Sequence, residues 1–168
     1  MIHSLRACNI RPFDPESEGF QAVLMSKTFL LRKEDVQRRW IHIDANGVVL
    51  GKLAVHAAVA LMGKDCPTYT PGVDSGAFIV VTNAELVKVT GKKETDKKYR
   101  WHTGYIGGLK EKSLDEMRAT KPEKVIQLAV RRMLPKNKLG RNMLKRLKVY
   151  TGVEHGHEAQ SPQTVTVS

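Results

Sequence analysis

The sequence predicts an α/β domain built on a mainly parallel sheet, and three segments carry that expectation. Residues 40–44 (WIHID) alternate weakly and are rich in β-formers, which predicts a strand. In residues 50–62, Leu50, Leu53, Ala54, Ala57, Ala58 and Leu61 recur at i, i+3, i+4, i+7, i+8 and i+11. That spacing places them on one stripe of a helix. Residues 78–82 (FIVVT) form a continuous apolar run, as expected of a strand buried on both faces. Strand, helix and strand within about 40 residues read as a βαβ unit.

The remaining elements follow in order. Asn46-Gly47 predicts a turn, and Gly63 a C-cap for the helix before it. Residues 86–90 (LVKVT) predict a second, shorter strand. Residues 91–112 read as a basic, glycine-rich loop. Ser113-Leu114-Asp115-Glu116 fits a capping box opening a short helix. A second helix is expected from Pro122, with Val125, Leu128, Ala129 and Met133 on one face, and it ends at Pro135. A third spans 139–147, with Leu139, Met143, Leu144 and Leu147 inward. From Thr151 the chain is rich in Gly, His and Gln and reads as irregular.

A chain of 168 residues fits about one domain and can bury a core without a disulfide or metal. Two cysteines, Cys8 and Cys66, lie far apart, which argues against a disulfide framework and fits a reducing compartment. No apolar run reaches the roughly 18 residues of a membrane span. The 28 Lys+Arg against 17 Asp+Glu give a net charge of +11, which points to a polyanionic partner.

That charge is unevenly placed. Residues 1–24 carry Arg6 and Arg11 against Asp14, Glu16 and Glu18, so the whole excess lies after Met25. The segment lacks the apolar stretch of a secretory signal and is too acidic for a transit peptide. It reads as a disordered extension, or as a misplaced start with translation beginning at Met25. The domain is then 25–162, with 163–168 a flexible tail.

Two basic clusters stand out. Residues 131–148 hold Arg131, Arg132, Lys136, Lys138, Arg141, Lys145, Arg146 and Lys148 and no acid. Lys138, Arg141, Lys145 and Lys148 fall at i, i+3, i+7 and i+10, one face of the expected helix. A solvated helix interleaves charge signs, because Glu–Lys neighbours stabilise it. A one-sign stripe repels itself and is relieved when phosphates neutralise it. The alternative is an ordinary solvated face. Residues 88–112 hold Lys88, Lys92, Lys93, Lys97, Lys98, Arg100, Lys110 and Lys112, interleaved with Tyr99, Trp101, His102 and Tyr105. Cations beside aromatics suit unpaired RNA bases, and Gly104, Gly107 and Gly108 let backbone approach a ligand. The alternative is that Trp101 and Tyr105 anchor a loop on the core.

Signals of catalysis are weak. Gly51-Lys52, Gly63-Lys64 and Gly91-Lys92 are each followed by a residue that breaks a P-loop. His155-Gly156-His157 lacks the company a metal site needs, and nothing groups Ser, His and Asp as a triad. No cofactor, metal or small-molecule substrate is expected.

Several strings, taken in order, resemble a known family: residues 40–53 (WIHIDANGVVLGKL), Tyr69-Thr70-Pro71 with Asp74, 80–84 (VVTNA), Thr90-Gly91-Lys92, 102–110 (HTGYIGGLK), 133–141 (MLPKNKLGR) and 149–160 (VYTGVEHGHEAQ). The ordered set is similar to the universal large-subunit ribosomal protein thirteen family in its bacterial form, over residues 25–162. The resemblance implies a three-layer α/β/α domain with a four-stranded, mainly parallel sheet. It also implies a non-enzymatic role: binding large-subunit rRNA beside neighbouring ribosomal proteins, and supporting subunit assembly in the cytoplasm. Strings 102–110 and 133–141 would face rRNA. The departures are Ile106 where the family has Pro, Arg132 where Gly is usual, and Ala77 in place of an acid.

The candidate RNA-contacting residues are therefore Arg38, Arg39, Lys92, Lys93, Lys97, Lys98, Arg100, His102, Tyr105, Gly107, Gly108 and Lys110 in the first two thirds. In the last third they are Arg131, Arg132, Lys136, Asn137, Lys138, Arg141, Lys145, Arg146, Lys148, His155 and His157. The competing functions are an α/β enzyme acting on a nucleotide or RNA, which would need a phosphate loop or paired acid and base groups, and a DNA-binding regulator, which would need a recognition-helix pair.

Overall fold

The computed structural model describes residues 29–167. The extension at 1–24 and the start of the following basic segment lie outside the described residues. Four parallel strands form the main sheet, in the order β5-β2-β1-β6: β1 (Trp40–Asp44), β2 (Phe78–Thr82), β5 (Leu147–Val149) and β6 (Gln163–Thr164). A separate antiparallel hairpin joins β3 (Lys98–His102) to β4 (Leu109–Ser113). The helices are α1 (Leu50–Met62), α2 (Lys93–Asp96), α3 (Leu114–Thr120), α4 (Pro122–Met133) and α5 (Lys138–Lys145).

The two faces of the sheet are covered differently. Ile41, Ile43, Ile79, Val81, Leu147 and Val149 share one core with Leu53, Ala54, Ala57 and Leu61 of α1 and with Val125, Ile126 and Val130 of α4. On the other face Trp40 stacks on Phe78 at 4.5 Å between centroids. The segment after β5 closes over that face. His157 packs on Trp40 and His155 on His42, and the segment ends in a 3-10 turn at Glu158–Gln160. All of β2 but half-exposed Phe78 is buried, as its unbroken apolar run predicts.

Local signals explain the helix boundaries. Gly63 takes the left-handed conformation (φ 77°) and closes α1. Ser113 accepts from the Glu116 N–H while Glu116 accepts from the Ser113 N–H, the reciprocal box that the sequence predicts. Pro122 sits in the first turn of α4.

Five expectations need correction. Residues 86–90 are not a strand. Asn83 turns the chain in the left-handed region, Ala84–Leu86 form a 3-10 turn, and Lys88 makes a single parallel bridge to Val49. Since α1 begins at the next residue, Leu50, the ladder has nowhere to continue. The supposed loop at 91–112 holds the β3–β4 hairpin, in which Tyr99 is buried. The third helix stops at Lys145, and Leu147–Val149 form β5, so the basic helical stripe loses Lys148 to the sheet. In α4 the inward residues are Pro122, Val125, Ile126 and Val130, whereas Met133 is exposed and Leu128 and Ala129 are half-buried. Gln163 and Thr164, placed in the tail by the sequence reading, pair with Ile41 and His42 of β1.

Candidate nucleic-acid interface

The turn between α4 and α5 is fixed by its own sequence. The Asn137 side-chain oxygen accepts from the Gly140 N–H at 2.8 Å and caps α5. Gly140 packs so tightly that a Cβ there would collide with the Pro135 carbonyl oxygen. This tight turn holds Lys136, Lys138 and Arg141 exposed on the surface.

The hairpin supplies the second component. Its strands alternate: Tyr99 faces inward, while Lys98, Arg100 and His102 are exposed. Arg100 pairs with Glu111 at 2.6 Å across the strands, and Lys98 reaches the same carboxylate at 3.5 Å. At the tip, the Thr103 N–H donates to the Gly108 carbonyl and the Gly108 N–H to that of Tyr105. A Cβ on Gly108 would strike Thr103 Oγ1, and Gly104 and Gly107 have positive φ. The tip therefore requires its glycines. It holds Tyr105 79% exposed and Ile106 fully exposed, with Trp101 at 40% lower on the hairpin. Tyr105 does not anchor a loop on the core; Tyr99 does.

The two components meet. A cleft of about 750 Å³ is lined by Arg100 from the hairpin, Arg131 and Arg132 from the end of α4, and Lys136 and Arg141 from the α5 turn. Half-exposed Leu128 and Leu144 line it too. Among the described residues no acid contributes to that lining. Two clusters separated in sequence thus become one cationic concavity, where low-dielectric walls focus the field on an anion.

Other predicted residues lie elsewhere. Arg146 is 5% exposed and does not face solvent: it donates to the Asp74 carboxylate and, at 3.0 Å, to the Leu61 carbonyl. This is a correction, since a guanidinium so enclosed is structural. Arg38 lies 3.7 Å from the same Asp74, and Arg39 is paired with Asp65. His155 and His157 dock the C-terminal segment, and Tyr150 Oη and His157 Nε2 are hydrogen-bonded at 3.0 Å. Lys138 and Lys145 are exposed on α5, Lys148 on β5, Lys110 on β4, and Lys92 in the turn before α2. His102 Nδ1 accepts from the Gly104 N–H at 3.0 Å, so part of its capacity is committed to the tip.

A second, more apolar cleft adjoins the first, and Arg132 lines both. Burial lowers the pKa of Lys97 there, and the nearby Arg132 and Lys93 charges lower it further. Burial raises the pKa of Tyr99, with Arg132 and Arg118 opposing. Sequence reasoning missed Tyr99 as a cleft residue. Its signal was the alternation of Tyr99 and Trp101 with bases, which fits a strand.

Fold and site together define a small α/β protein with a cationic concavity beside a hairpin that exposes Trp101 and Tyr105. The comparisons agree with that class. The model of the Ribosomal protein L13 family matches residues 38–156. "Large ribosomal subunit protein uL13" of Aquifex aeolicus is 55% identical over 141 residues, covering 84% of this chain and 98% of that protein. Proteins of the same name from Caldanaerobacter subterraneus and Thermoanaerobacter sp. are 55% and 54% identical, each over 84% of this chain and 99% of their own length. The chain belongs to the ribosomal protein L13 family.

Proposed function

We propose that this protein is a structural constituent of the large ribosomal subunit, binding large-subunit rRNA through the basic cleft and supporting assembly of the subunit in the cytoplasm. Family membership supports the ribosomal, non-enzymatic role. The observation that carries the RNA reading is the convergence of Arg100, Arg131, Arg132, Lys136 and Arg141 on one concavity lined, among the described residues, by no acid. Such a surface neutralises phosphates and releases their counterions. Guanidinium groups grip phosphate oxygens in pairs, which suits the four arginines. The exposed Tyr105 and Trp101 give unpaired bases a stacking surface. Neighbouring large-subunit proteins are the expected further partners.

Sedimentation of a cell lysate tests this directly. The protein should travel with large subunits through a moderate-salt wash. Its absence from ribosomal fractions would overturn the proposal in favour of an enzyme or a regulator.

A further inference from the structure

The second cleft encloses about 500 Å³, between the start of α1, α2 and the end of α4. Leu50, Ala54, Val89 and Met133 give it an apolar lining. Lys93, Lys97 and Arg132 add three positive charges against one acid, Asp96. Tyr99 lines it as well. That residue is 3% exposed, and its hydroxyl has no hydrogen-bond partner among the described residues. Because Arg132 lines both clefts, this one continues the basic cleft.

We propose that this cleft receives a single unstacked nucleotide of the bound rRNA, its base against the apolar lining and its phosphate among Lys93, Lys97 and Arg132. The inference rests on the rRNA-binding reading above. An apolar slot beside three cations matches a nucleotide better than bare backbone, which needs no slot. The volume lies within the roughly 300–1,000 Å³ of ordinary small-ligand sites. RNA-binding proteins commonly take bases splayed out of the strand. Burial of Lys97, and after it the neighbouring Arg132 and Lys93 charges, lower its pKa, as expected of cations gathered against an apolar wall. A protein segment in this place would have to be acidic to offset the same three cations.

The test uses the full chain bound to large-subunit rRNA, as wild type, Gly51→Phe and Lys97→Gln. Gly51 lines the cleft, and a Cβ added there meets nothing within 4 Å, so the bulk enters open space. Circular dichroism and thermal melting check the fold of each variant. Chemical probing of rRNA bound to wild type should reveal one nucleotide with a protected base and unstacked neighbours. Gly51→Phe should abolish that signature and weaken binding at least roughly five- to a hundred-and-fifty-fold, the worth of one stacked base, and should flatten the salt slope as the nucleotide's phosphate leaves with it. Lys97→Gln should flatten the slope of log K against log salt by about 0.7–0.9. Wild-type affinity and footprint in a folded Gly51→Phe would overturn the inference. So would an unchanged slope in Lys97→Gln, which carries the test alone if Gly51→Phe fails to fold. A map of the subunit with a protein segment in the cleft would overturn it too, as would free nucleoside monophosphates that fill the cleft without competing with rRNA. In each of those cases rRNA binding itself stands. Failure of wild type to bind rRNA would instead remove both readings.

Discussion

Arg146 and Asp74 form a bidentate ion pair, with guanidinium-to-carboxylate distances of 2.6 and 2.5 Å, across 72 residues of sequence. It ties the end of α5 to the loop before β2, and the Leu61 carbonyl at the end of α1 holds the same guanidinium. Removing one partner of a buried pair costs roughly 3–5 kcal/mol, because the other charge is left uncompensated. Asp74 keeps some exposure, so Asp74→Ala should fall near the lower end. Asp74→Ala/Arg146→Met should recover much of that loss. Urea unfolding of the isolated protein checks both, and a double variant no more stable than the single one would contradict the assignment.

Gly140 and Gly51 make a matched comparison, since both lie in helices. A methyl group at Gly140 collides with the Pro135 carbonyl, whereas one at Gly51 meets open space. Gly51→Ala should stabilise by about 0.5–1 kcal/mol, the ordinary helical difference. Gly140→Ala should instead destabilise by roughly 1–3 kcal/mol through overpacking, and should also weaken RNA binding by displacing Lys136 and Arg141. Melting curves of the two variants, recorded together, give opposite signs if the packing is right.

Arg141 and Lys145 are exposed on α5 and carry no base-reading amide. They are expected to meet phosphates, which position RNA without reading its sequence. Replacing both with Gln should reduce the slope of log K against log salt by about 1–2. Cognate and unrelated RNA should weaken alike. A salt titration of affinity decides it: an unchanged slope would assign this face to solvent, and selective loss of cognate binding would make these residues readers of RNA shape or sequence.

His42 confers a pH dependence on the closed face of the sheet. Burial lowers its pKa most, the facing His155 lowers it further, and Asp44 opposes. Its Nε2 is hydrogen-bonded to Thr82 Oγ1 at 3.0 Å. The folded state therefore binds the proton less readily than the unfolded chain, so stability is retained above the unfolded value near 6.5 and declines as pH falls below it. The melting temperature should drop between pH 7.5 and 5.5, and His42→Gln should drop less over that interval. Equal drops would remove His42 as the source.

What was legible in the sequence follows from the range of each signal. The α1 stripe, the Ser113 box, the Gly63 cap and the buried run of β2 are contained within a dozen neighbouring residues, and the structure reproduces all of them. The hairpin was obscured because Lys98, Arg100 and Lys110 alternate with Tyr99, Trp101 and Leu109 around three glycines, so charge and glycine content outweighed a period of two. Strand β5 has three residues and follows a helix with one residue between, too short for a pattern of its own. Arg146 sits in a run of bases and resembles its neighbours; only the distant Asp74 distinguishes it. The basic cleft was half legible. Both clusters stand out by charge, but their meeting depends on the hairpin lying beside the α4–α5 turn.

The pairing of Ile41 with Gln163 bears on how the chain is made. Strand β1 lies inside the sheet, yet one of its edges is filled only by residues translated about 120 positions later. At roughly 5–20 residues per second, that edge stays open for about 6–25 s of synthesis. During that interval the nascent domain presents an unpaired strand, a template for stray association. Closure of that edge is thus timed by elongation through Gln163 and Thr164, which joins completion of the sheet to the pace of synthesis.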